Sequence, residues 1–302
     1  MNLKKVGIVG LGLMGGSLSI ALQSLPEKKY RFIGLDHNKT HQEQALEFGL
    51  VDRIVEGIDE ISRCDIIILT IPVDGIIAIS KEFKNLDKHC TIIDLGSTKA
   101  KISASVPEAI RANFVTAHPM TGTEKFGPKA ATPHLYENKV VVLCDMEKSG
   151  THQQEVARKL FTEMGMKLVY MGAEEHDRHA AFISHMPHAL SYALANAVMQ
   201  QGDANSMVGK KGSGYRDTSS IAKTPPQKSE DILRENRGKL NEAMEKCERE
   251  QKKGRNIVEN SGWEALNAWM DEANRLHDIL WPVPKRHYQI HLFSYQRLYL
   301  LP

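Results

Sequence analysis

The chain has almost no charge imbalance: 39 Lys and Arg stand against 37 Asp and Glu over 302 residues. It also has no long basic run, which removes the usual footprints of a nucleic-acid or membrane-surface binder and leaves a small molecule as the expected partner. Cysteine is scarce and unpaired. Cys64, Cys90, Cys144 and Cys247 stand singly, without metal-type spacing or a disulfide framework, which suits a reducing cytoplasm. No charged, apolar and small-residue leader pattern precedes the first apolar run, so secretion is not expected. The longest apolar stretch, residues 180–199, is interrupted by His185, Pro187 and His188; it reads as a buried helix rather than a membrane span.

What is present divides in two. At this length two domains are expected. From residue 5 to about 148, short β-branched runs ("KVGIVG", "FIGLD", "DIIILTIP", "CTIIDLG", "FVTAHP", "KVVVLC") alternate with helical segments. Continuous apolar strands separated by crossover helices predict an α/β fold, a doubly wound parallel sheet covered on both faces. Beyond residue 150 helical periodicity takes over, apart from "KLVYM" around Val169. In residues 263–280 the apolar side chains Trp263, Leu266, Trp269, Met270, Ala273, Leu276 and Leu280 share one helical face, with Ser261 and Glu264 spaced as a capping box. Residues 228–255 read as one solvated amphipathic helix. These patterns predict a dinucleotide-binding Rossmann domain over residues 1–172, a helical domain over 173–280, and a tail of open role over 281–302.

The segment "VGIVGLGLMGGSL" supplies a G-x-G-x-x-G in the setting that motif requires: a strand, then Gly10, Gly12 and Gly15 with Leu13 and Met14 between them, then an apolar helix. The glycines permit the tight turn, backbone approach to a pyrophosphate and close helix packing. The helix start offers unpaired N–H groups to the anion. Asp36, twenty-one residues beyond Gly15, is placed to accept from ribose hydroxyls and to repel a 2′-phosphate, which favours NAD over NADP; the basic neighbour Lys39 and the adjacent His37 soften that preference.

Three polar clusters follow predicted strands or enter the helical part: "DLGSTK" (94–99), "AHPMTGTEKFG" (117–127) and "HDRHAAFISHMPH" (176–188). His118, at a strand end and before Pro119, is the candidate base for a substrate hydroxyl; its other reading is a histidine satisfying local backbone. Ser97 and Lys99 are either site residues or loop and helix-start residues. His176, His179, His185 and His188 lack the spacing of a zinc hydrolase and have no cysteine beside them, so no metal is expected.

In this order the clusters, continuing through "GSGYRDTSSIAK" to "WEALNAWMDEANRLHDIL", resemble the prephenate and arogenate dehydrogenase family of tyrosine biosynthesis over about nine-tenths of the chain. The resemblance implies an N-terminal Rossmann domain, a helical domain that builds a homodimer, and a site between them where NAD accepts hydride as carbon dioxide leaves. His118 matches the family's catalytic histidine and Ser97 a serine that shares the substrate hydroxyl. Thr123, Glu124, Ser184, His188, Tyr215 and Arg216 match substrate-side positions, and His176 and Asp177 match an H-D pair at the pocket entrance. One departure is marked: Ser220 stands where the family has an arginine that clamps a substrate carboxylate. Arg216 or Lys223 replaces that clamp, or the substrate differs, or the chain is a non-catalytic NAD-binding relative. Prephenate is the expected substrate, arogenate the near alternative.

Overall fold

The computed structural model describes residues 3–27, 29–123, 125–202, 213–223 and 226–280. Glu124 and the tail at 281–302 lie outside them. The chain divides into two compact units, residues 1–244 and 245–302.

The first unit is built on an eight-stranded sheet in the order β3-β2-β1-β4-β5-β6-β7-β8. Its strands are β1 (Lys4–Val9), β2 (Tyr30–Leu35), β3 (Arg53–Ile54), β4 (Ile66–Leu69), β5 (Thr91–Asp94), β6 (Phe114–Pro119), β7 (Val140–Cys144) and β8 (Lys167–Met171). Between them run α1 (Leu13–Gln23), α2 (Lys39–Glu47), α3 (Ile58–Ile61), α4 (Val73–Ser80), α5 (Ala100–Ser105) and α6 (Thr151–Glu163).

Successive residues of a strand face opposite sides, so a sheet covered on both faces needs unbroken apolar strands. The packing shows this division. Val6, Ile8, Ile66 and Ile68 enter one buried cluster, while Val9, Ile67 and Leu69 enter another on the opposite face. Each fully buried aliphatic side chain of this kind contributes about 1.5–3 kcal/mol.

All six expected strands form, together with the "KLVYM" strand, but the sheet is not wholly parallel. β6 and β7 pair antiparallel, with His118 opposite Val142, and β8 then runs parallel to β7. Between β6 and β7 the described chain carries only a short 3₁₀ turn at Pro128–Ala130. Without a crossover helix the chain returns along the same edge in the opposite direction.

After β8 come α7 (Ala173–Ala180), a π-helical turn over Ala181–His185, and α8 (Met186–Met199). Pro187, at the start of α8, lacks the N–H that would close a regular turn, which accounts for the widened turn before it. Contrary to the expected buried helix, Ile183 and Met199 are 68% and 62% exposed, and only Ser191 of α8 is buried.

Further on lie α9 (Ser213–Ser219), a 3₁₀ turn at Ser220–Lys223, α10 (Pro226–Glu235) and α11 (Arg237–Glu259). The expected single helix over 228–255 is thus broken at Asn236. That side chain is buried and donates to the Asp177 carbonyl (2.6 Å).

The second unit contains the end of α11 and all of α12 (Trp263–Leu280). Trp269 lies against Gly254 and donates its indole N–H to Glu250 at 3.0 Å. The expected capping box is absent. Ser261 has φ +54° and closes α11, its N–H bonding the Val258 carbonyl, so the chain has already turned before Glu264 is reached.

Candidate active site

The parallel strands β1, β4, β5 and β6 end on the same edge of the sheet, and the strand order reverses between β1 and β4. That is where doubly wound sheets bind ligands. Two groups of residues occupy this edge.

The first is the glycine loop. Gly10 has φ +94°, and a Cβ on Gly15 would stand 2.2 Å from the Gly10 carbonyl oxygen, so neither position admits a side chain without rearrangement. Gly12 differs: a Cβ there would meet nothing within 4 Å. It precedes α1 with no side-chain cap, so the N–H groups of Leu13, Met14 and Gly15 have no intrahelical partner. Tyr136, fully buried, holds this helix start by donating to the Met14 carbonyl at 2.8 Å.

Asp36 follows β2. One carboxylate oxygen accepts from the Leu11 N–H and the other from the Asn38 N–H, both at 2.8 Å. It therefore pins the glycine loop to the end of β2. Each oxygen still has acceptor capacity for a ribose hydroxyl. An open cradle, an uncapped helix start and a carboxylate at the neighbouring strand end fit a dinucleotide.

The second group surrounds a cavity of about 540 Å³. Ser97, beyond β5, and His118, near the end of β6, line it together with Thr123, Ser184, His188, Ser220 and Lys223. Five of the expected site residues thus converge. Tyr215 and Arg216, on α9, do not line it; Arg216 is exposed and its guanidinium pairs with Asp217 at 3.3 Å. Of the two cations considered for the missing arginine, the fold brings Lys223 to the cavity.

Behind His118 lies a hydrogen-bonded chain. Its Nδ1 is 2.8 Å from Nε2 of His176, whose Nδ1 is 2.8 Å from Oδ1 of Asp177. His176 and Asp177 are 2% and 3% exposed, so the H-D pair is not at an entrance as expected; it forms a buried backing to the cavity histidine. Asp177 also accepts from the backbone N–H groups of Lys99 (2.7 Å) and Ala100 (2.9 Å). Burial raises the Asp177 pKa, but the His176 bond and these two N–H groups outweigh it and hold the carboxyl below its ordinary range.

Lys99, fully buried, pairs with Asp94 and donates to the Ala117 carbonyl at 2.7 Å, fixing the residue before His118. Lys99, read from the sequence as either a site residue or a helix-start residue, thus holds the site together from behind with Asp94. Burial lowers the His118 pKa well below the ordinary 6.5, and the nearby His176, Lys99 and His185 lower it further, so the imidazole is neutral and able to take a proton. His185, also buried, receives the Asn236 amide N–H at 3.0 Å, and burial pushes its pKa down to about 4. His179 faces outward beside Glu175. Among the described residues no group of three or more His, Cys, Asp or Glu is arranged to hold a metal ion.

Asp94 and Asn236 carry no sequence signal for these roles beyond the polarity of their segments. Their partners are distant in the chain.

Residues 21–170 match the family model described as prephenate dehydrogenase, nucleotide-binding domain, and residues 172–272 match that described as prephenate dehydrogenase, dimerization domain. The prephenate dehydrogenase of Bacillus subtilis (strain 168) is 30% identical over 279 residues, 90% of this chain and 75% of that protein. The cyclohexadienyl dehydrogenase of Zymomonas mobilis is 27% identical over 240 residues, 77% of this chain and 81% of that one. Among solved structures, prephenate dehydrogenase from A. aeolicus in complex with hydroxyphenyl propionate and NAD+ superimposes with a TM-score of 0.85 at 27% identity, covering 93% of this chain and 99% of that one. Synechocystis arogenate dehydrogenase gives 0.75 at 25% identity, covering 91% and 99%.

Proposed function

The chain belongs to the prephenate dehydrogenase family of NAD-dependent oxidoreductases, and from that premise we propose that it converts prephenate to 4-hydroxyphenylpyruvate. One observation carries this reading: a single cavity at the carboxyl edge of the sheet joins His118 and Ser97 to Ser184, His188 and Lys223. NAD, when bound, supplies the hydride acceptor. Leu13, Met14 and Gly15 would offer it backbone N–H groups, and Asp36 would accept from its ribose.

The chain's own residues divide the remaining work. His118 takes the proton of the ring hydroxyl, raising electron density on the carbinol carbon as hydride departs, while Ser97 orients that hydroxyl. The ring carboxylate leaves as carbon dioxide, and aromatisation drives the step forward. Lys223 neutralises a substrate carboxylate in place of the family arginine, with Thr123, Glu124, Ser184 and His188 around the ring. Lys223 adds a cation to the cavity wall, which suits a substrate carrying anionic carboxylates and a keto group.

On this reading residues 1–172 hold the cofactor and 173–280 supply substrate and subunit contacts. Residues 172–272 match the family's dimerization domain, and the chain is a homodimer. Exposed Ile183 and Met199 in the first unit and Trp263, Met270 and Leu276 in the second supply apolar surface for that contact. Among the described residues no helix is long and apolar enough to cross a membrane. We place the protein in the cytoplasm, as its singly spaced thiols suggest.

The test is absorbance at the reduced-nicotinamide band with NAD and either prephenate or arogenate in separate assays. Turnover of prephenate well above arogenate supports the reading. Preference for arogenate, or NAD binding with neither substrate turned over, overturns it.

A further inference from the structure

We propose that Asp177 acts through His176 to hold His118 as the tautomer whose Nδ1 carries the proton, leaving Nε2 bare as the base. The inference deepens the reading of His118 given above and rests on it. It follows from donor and acceptor inventory along one chain of contacts.

Asp177 is an acceptor only. Its Oδ1 takes the Lys99 N–H and faces Nδ1 of His176, so that nitrogen must carry a proton and donate. A neutral imidazole has one donor and one acceptor, so Nε2 of His176 is an acceptor. It faces Nδ1 of His118, which must therefore be protonated. The remaining nitrogen of His118, Nε2, is then unprotonated. Turning the chain around would set a bare Nδ1 of His176 against the acceptor-only Asp177 carboxylate, or leave His176 doubly protonated in a buried site beside other basic groups.

The groups packed around this chain are His118 from β6, the Lys99–Asp94 pair from the loop after β5, and His185 and His188 from the segment after α7. Lys99 is neutralised by Asp94, and His185 accepts from Asn236, so neither supplies an anion to His118. Asp177 is then the carboxylate that compensates charge on the relay. When His118 takes the substrate proton at Nε2, both of its nitrogens carry hydrogen. The positive charge is then held through His176 by Asp177, while His176 keeps its proton on Nδ1 and no second transfer is needed. His176 and Asp177 are positioning residues; neither lines the cavity.

The test uses full-length protein labelled with ¹⁵N-histidine, where two-bond correlations identify which ring nitrogen is protonated, together with the pH profile of kcat/KM. In the unmodified protein the His118 Nδ1 should be protonated and Nε2 bare at neutral pH. His176→Phe removes the acceptor and should release His118 to mixed or Nε2–H tautomers with kcat lowered about 10²- to 10³-fold, a range set by the general-base contribution. His176→Gln restores an acceptor oxygen at the Nε2 position, so it should recover the Nδ1–H tautomer and much of the lost rate. It also cuts the link to Asp177, so its acid limb should move to lower pH as the imidazolium loses its compensating charge. An Nε2–H tautomer in the unmodified protein overturns the proposal, as does equal damage from His176→Phe and His176→Gln with an unmoved acid limb. The tautomer is read without substrate, so a wrong substrate assignment would leave this result standing, and a wrong relay would leave the substrate assay standing.

Discussion

The two occupied stretches of the sheet's carboxyl edge are made of different material. The glycine loop after β1 works through backbone: a positive φ at Gly10, a close approach at Gly15 and unpaired N–H groups at the start of α1. The histidine cluster after β6 works through side chains drawn from β6, the loop after β5, α7 and the residue between α10 and α11. A backbone site depends on a few consecutive residues. A side-chain site depends on the packing of several elements, so its parts are separated in sequence and fail separately.

Substitutions should sharpen that contrast. The largest effect is expected from His118→Asn, which removes the base while keeping a polar group of similar shape: kcat should fall about 10³- to 10⁴-fold, with NAD affinity unchanged by fluorescence titration. Loss of cofactor binding in this variant would mean that the two regions are not separable. Next is Gly15→Ala, whose Cβ would meet backbone and Ile8 at 2.2 and 2.8 Å; thermal unfolding should show a loss of about 3 kcal/mol or more. Gly12→Ala is its control, because its Cβ meets no protein atom: the fold should keep its melting temperature while NAD affinity drops.

The side-chain region should also show a pH signature that the backbone region lacks. Burial depresses the folded-state pKa of His185 to about 4. An unfolded histidine near 6.5 binds protons first, so the stabilisation is fully present above pH 6.5 and is lost as pH falls toward 4. From that shift the loss is roughly 3 kcal/mol. Denaturant titrations across that range should show it, and His185→Gln should flatten the dependence. A smaller effect, about tenfold in KM for prephenate with little change in kcat, is expected for Lys223→Met. An unchanged KM would remove Lys223 from the carboxylate, and Ser220→Arg would then be the variant that restores tight binding.

Legibility followed the same division. Seven strands and the glycine turn are legible because each rests on a few neighbouring residues: "DIIILTIP" is apolar on both faces wherever it is placed. β3, only two residues long, has too short a pattern to read. The antiparallel return of β7 is not legible, because strand direction depends on the connection, not on the apolar run. Ser261 and Glu264 have capping-box spacing, yet Ser261 ends the preceding helix with φ +54°. The likeness of "SHMPH" to a continuous buried helix hid the π turn that Pro187 induces.

By itself the sequence determined the class of sheet, the glycine turn and the histidine near the end of β6, since these follow from local backbone preference and from residue types at strand ends. Tertiary structure alone decided what surrounds that histidine. His118 meets a partner 58 residues away, and Asp177 grips an amide 78 residues away. It likewise decided that Lys223 rather than Arg216 faces the cavity. Spacing cannot report such contacts: a hydrogen bond is set by atoms a few ångströms apart, and only the packing of β6, α7 and the loop after β5 brings those atoms together.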